Sequence, residues 1–148
     1  MLRWCGLLRE RALRAAWIGA ALSFAMAESI GLWAAAFPHT WLRLFSDDPD
    51  MLAAGTLYLR TVGPFYGFFG LGLVLYFASQ GAGRLKWPLV GSILRLAVAG
   101  LGGWLALRWG GNLAQVFIAQ AVALVIYGMV NVGAIAAGAW FGPLAWPR

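Results

Sequence analysis

An all-α integral membrane fold with about four transmembrane helices follows from three features of the sequence. Hydrophobic residues make up 62% of the 148 residues and charged residues 11%. Mean hydropathy is +0.77, outside the range of a water-soluble domain of this size. The apolar residues fall in runs of about twenty or more, each long enough at about 1.5 Å per residue to cross a hydrocarbon layer of roughly 30 Å. Between the runs stand Pro, Gly and charged residues, and no hydrophilic stretch is long enough for a separate domain. Residues 1–148 therefore form a single membrane segment, with helices predicted at about 12–37, 51–80, 86–108 and 113–140.

The first helix runs from about Ala12 to Phe37 and stops at Pro38, which has no backbone donor to continue it. Arg3, Arg9, Arg11 and Arg14 precede it, and Ala25-Met26-Ala27 has the small-x-small form of a secretory cleavage site. The apolar run nevertheless continues through Ile30, Leu32, Trp33 and Phe37. That is too long for a signal core of about 7 to 15 residues, so the run reads as a membrane helix. The connector from His39 to Asp50 carries an apolar patch, Trp41, Leu42, Leu44 and Phe45. Ser46-Asp47-Asp48-Pro49-Asp50 follows, an acidic cap with a Pro suited to the first helical position.

The second helix extends to Gln80, longer than a membrane crossing requires, and Pro64 is the natural place for it to kink. Gly81-Ala82-Gly83-Arg84 ends it. The third helix spans Lys86 to Arg108, Gly110-Gly111-Asn112 make a short turn, and the fourth spans Leu113 to Trp140 before Pro143 and Pro147.

Basic residues set an orientation. Seven of them (Arg3, Arg9, Arg11, Arg14, Arg84, Lys86 and Arg148) gather on one side of the predicted layout, against Arg43 and Arg108 on the other. The positive-inside rule then places both termini in the cytoplasm and the protein in the cell membrane as a multi-pass chain. Trp17, Trp87 and Trp140 near inner ends, with Trp41 and Trp109 near outer ends, suit an interfacial belt; a cage for aromatic cations is the functional alternative. The net charge of +6 does not point to nucleic acid, because the basic residues punctuate apolar runs instead of clustering on a solvated face. Cys5 and His39 each stand alone, which leaves no metal cluster or cofactor attachment. No nucleophile is paired with a base, so an enzyme is not expected.

Polar residues inside the membrane are the informative remainder, because a charge there costs a few kcal/mol or more and faces a protein interior or a wet cavity. Arg95 lies roughly 12 Å into the third helix. Pro88, Gly91, Ser92, Ala99 and Gly102 share its side, while Val90, Ile93, Ala97 and Trp104 lie opposite. The alternative is that Arg95 snorkels to the inner interface beside Arg84 and Lys86. Glu28, roughly 21 Å beyond Arg14, shares a face with Ala21, Ala25, Gly31 and Ala35. It is either a proton site or the partner of Arg95 or Arg60. Arg60 shares a face with Gly63, Gly67 and Gly70 and reads as interfacial, with Gly63-x-x-x-Gly67 suited to close helix approach. Gln120, Tyr127 and Asn131 form a polar stripe on the fourth helix, suited to interhelical hydrogen bonds.

The order of these signals resembles the second half of multidrug and toxic compound extrusion (MATE) transporters. Trp41-Leu42-Arg43-Leu44-Phe45-Ser46-Asp47-Asp48-Pro49-Asp50 is similar to the family's outer loop, Tyr58-Leu59-Arg60 to the opening of a helix, and Gln80-Gly81-Ala82-Gly83 to an inner turn. Pro64, Pro88 and an Arg inside the next helix complete the pattern, which covers about Arg11 to Trp140. The resemblance implies a partial C-terminal lobe, the last four of twelve helices. It also implies part of an antiporter that exports organic cations in exchange for H+ or Na+. The missing first lobe implies a chain truncated and inactive alone, whose partners are the lipid bilayer and the missing transporter half or another copy. The second helix has no acid in its membrane part, where some family members bind a cation. Two other readings stay open: a complete four-helix small multidrug transporter acting as a dimer through Glu28, and a non-transporting membrane subunit.

Overall fold

The computed structural model describes residues 2–140, with side chains from Leu8 onward. The roles read for the side chains of Arg3 and Cys5, and for Pro143, Pro147 and Arg148, lie outside that description. Among the described residues the chain is all helical: α1 (Leu2–Ala36), α2 (Pro38–Leu42), α3 (Pro49–Val62), a 3-10 turn (Gly63–Phe65), α4 (Tyr66–Gly81), α5 (Lys86–Arg108) and α6 (Leu113–Ala136). Four helical stretches are long and apolar enough to cross a membrane: Leu8–Ala36, Pro49–Gly81, Lys86–Arg108 and Leu113–Ala136.

Local chemistry explains most of the boundaries. Asp48 accepts the Asp50 amide at 3.1 Å, with Pro49 at the first position of α3. Asn112 caps α6 through the Gln115 amide at 3.3 Å, so each helix start has an oxygen for an otherwise open donor. At the end of α4, Gly83 takes φ +68°, which lets Arg84 N–H bond Ser79 O at 2.9 Å. This left-handed closure favours glycine.

Three expectations need correction. Helix α1 begins at Leu2, not near Ala12, because residues 2–12 contain no proline and the charged residues there are good helix formers that extend the rod beyond the apolar run. The last helix ends at Ala136, not Trp140, because Gly138 at φ +82° turns the chain back and Ala139 N–H bonds Ala134 O. Trp140 is 6% exposed and its Nε1–H donates to Ser79 Oγ at 2.9 Å, so it is a core residue and not part of an interfacial belt.

The helices stand in a row. α1 packs on α4 and the 3-10 turn, α4 and α3 pack on α6, and α6 carries α5 on its far side. Helix two, broken into α3 and α4, and α6 are thus central, while α1 and α5 flank them. The core gathers Ala16 and Ala20 of α1, Leu75 of α4, and Ile135 and Trp140, the last two at and beyond the end of α6. Leu75 and Val62 are fully buried, whereas Met26, Ile93 and Leu96 stand exposed as lipid-facing residues.

Candidate functional site

Pro64 breaks the second membrane helix. It supplies no N–H, the chain tightens into the 3-10 turn, and Tyr66 N–H bonds Gly63 O before α4 begins again. A new helix start inside a membrane presents backbone donors and the positive end of a dipole. Glu28 on α1 fills that position: the Gly67 amide donates to its Oε2 at 2.8 Å. The carboxylate therefore finds its partner in backbone and not in Arg95 or Arg60.

Glycine makes this approach possible. A Cβ on Gly31 would collide with the Gly63 carbonyl, and one on Gly67 would sit 2.6 Å from Glu28 Oε2 and 2.9 Å from Phe24 Cε2. The α1 and helix-two backbones thus touch at Gly31–Gly63, one turn from the Glu28 contact. Phe24 and Phe68 meet edge to face at 5.3 Å beside it. Across the break, Tyr66 donates its hydroxyl hydrogen to Tyr58 Oη at 3.2 Å. Of the face that the sequence groups with Glu28, Gly31 and Ala35 do lie in the interface, but Ala21 and Ala25 are exposed.

Arg95 belongs to a different junction. Its guanidinium lies 4.9 Å from the Phe69 ring centre on α4 and 5.6 Å from the Tyr127 ring centre on α6. At helical rise those residues stand about 18 Å and about 14 Å from the Gly81 and Ala136 ends of their helices. The side chain therefore stays level with mid-helix rings instead of snorkelling toward Arg84 and Lys86. On the same face of α5, Ser92 Oγ donates to Pro88 O at 3.0 Å.

The remaining sequence candidates are spread out. Arg60 is exposed on α3, Gln120 is half-buried on α6, and Asn131 is 1% exposed. Asn131 Nδ2 donates to Tyr127 O at 2.9 Å, while its Oδ1 and Thr56 Oγ1 are buried without a partner. Asn131 lies against Gly91 of α5, where a Cβ would stand 3.2 Å from its Nδ2. The structure thus brings Arg95 to Tyr127 and Asn131 to Gly91, but it keeps Glu28 on the opposite flank of the row. Phe69, which lines the Arg95 junction, is an aromatic residue in an apolar helix and carries no sequence signal of that role. Among the described residues, no group of three or more His, Cys, Asp or Glu is placed to hold a metal ion.

Comparison with known proteins agrees with this architecture. The family model MatE matches residues 7–103, which takes in α1, helix two and most of α5. No curated protein matches the chain. No solved structure matches it either.

Proposed function

The chain belongs to the MatE family of membrane transporters, and from that premise we propose that it forms part of an antiporter exporting organic cations in exchange for protons or sodium. Four helices in a row do not by themselves enclose a central cavity between two lobes, and alternating access needs two halves moving about one site. The chain then works with a complementary set of helices and is inactive alone. Glu28 is the observation that carries the reading. It is the acid in the middle of a described membrane span, and it sits at the break of a discontinuous helix, where transporters hold coupling ions. Releasing the Gly67 amide when the carboxylate takes a proton or a cation would let α4 move relative to α1.

Dye efflux tests the proposal. Cells making the 148-residue chain alone should retain a cationic dye such as ethidium. Co-expression with a complementary MATE lobe should restore efflux, and Glu28→Gln should abolish it. Proton-driven efflux by the chain alone would contradict the need for a second half and favour a small transporter acting as a dimer.

We also propose an orientation with both termini cytoplasmic and Asp47, Asp48 and Asp50 outside. In a Cys5→Ser background, a cysteine at Asp48 should react with an impermeant thiol reagent from outside intact cells. Reaction only after the cytoplasmic side is opened would reverse the assignment.

A further inference from the structure

The geometry points to an oxyanion site at the junction of α4, α5 and α6, in which Arg95 takes the phosphate or carboxylate of a lipid headgroup or free organic anion. The inference does not rest on the export of cations. A guanidinium is always charged, and holding it within a membrane span costs a few kcal/mol or more. The contact with ring faces returns about 0.5 to 2 kcal/mol and supplies no oxygen acceptor for the five N–H donors of the cation. Among the described residues no carboxylate or carbonyl accepts those donors. Main-chain carbonyls nearby already serve other side chains: Pro88 O accepts from Ser92 Oγ and Tyr127 O from Asn131 Nδ2. Glu28 lies across the row and is engaged by Gly67.

The rings of Phe69 and Tyr127 form the walls of the junction, and Tyr127 brings its hydroxyl there. The Tyr127 hydroxyl can turn to donate, so a fixed cation is set beside an orientable donor and flat apolar walls, with no anion among the described residues to balance it. α4 and α5 both pack on α6 but scarcely on each other, so the junction lies in the groove between them, and Arg95 is partly exposed there. Arg recognises phosphate and carboxylate through paired N–H donors, which a point charge cannot reproduce.

Binding to the purified chain in neutral detergent tests the site, with short-chain phosphatidylglycerol and benzoate as probes and diacylglycerol of the same chains as the uncharged control. Thermal stabilisation should saturate with phosphatidylglycerol and not with diacylglycerol. Saturation by the lipid alone assigns a lipid phosphate, and saturation by benzoate as well assigns a free oxyanion. Arg95→Gln should weaken the binding about tenfold or more, as expected for lost charge-assisted hydrogen bonds. Arg95→Lys should recover part of it, and Tyr127→Phe, which keeps the ring, should weaken it about threefold. Arg84→Gln should leave it unchanged. No saturable binding of either probe, or equal binding by wild type, Arg95→Gln and Tyr127→Phe, would overturn the site.

Discussion

Glu28 and Arg95, two ionisable side chains within the membrane spans, are held by opposite means. Glu28 sits between α1 and α4 against the backbone amide of Gly67, whereas Arg95 sits among α4, α5 and α6 against the faces of Phe69 and Tyr127. The difference follows from what a helix can offer. A break such as that at Pro64 exposes amide donors, so an acid finds a partner in main chain without any basic residue nearby. A cation needs acceptors, and at the Arg95 junction the carbonyls of Pro88 and Tyr127 already accept from Ser92 and Asn131. An acid is therefore satisfied within this row of helices, whereas among the described residues Arg95 has ring faces as its partners.

The largest way to disturb that contrast is at the backbone crossing that brings Glu28 to its amide. A side chain on Gly31 would meet the Gly63 carbonyl, which is backbone and cannot step aside. Gly31→Val should cost about 3 kcal/mol or prevent assembly, measured as the unfolding midpoint in detergent. Gly100, with nothing within 4 Å of an added Cβ, provides the control: Gly100→Ala should change stability by less than about 1 kcal/mol, and toward greater stability.

Removing the acid should have a smaller effect. Glu28→Leu leaves the Gly67 amide without its acceptor and should cost about 1 to 3 kcal/mol, while Glu28→Gln keeps an acceptor oxygen and should cost clearly less. Equal losses in the two variants would mean that the charge, not the hydrogen bond, holds the acid in place.

Much of the fold could be read in the sequence, because hydropathy, prolines and caps act locally. The four spans and the exposed bulky side of α5, with Val90, Ile93 and Trp104 out and Pro88 and Gly91 buried, follow from composition and helical period. The spatial order of the helices does not. Periodicity gives each helix a face but not the neighbour that the face meets, so side-chain chemistry alone offers Arg95 and Arg60 to Glu28, whereas its partner is a backbone amide. The break at Pro64 was the available clue, since a proline that frees donors in one helix invites an acceptor from the next. Trp140 differs from the expected belt for a related reason: an indole suits an interface equally well until a buried hydroxyl such as that of Ser79 claims its N–H.

The smallest expected effect is a coupling of zero, and it tests most directly whether the two charges are handled separately. Stability should be measured for the wild type, Glu28→Leu, Arg95→Leu and the double variant in the same detergent. With α1 and α5 on opposite flanks of the row, Arg95→Leu should cost little in the isolated chain, since it removes ring contacts and also a costly buried charge. The two losses should then add within about 0.5 kcal/mol. A double variant more than about 1 kcal/mol better than the sum would mean that Glu28 and Arg95 pair directly, and would contradict the account.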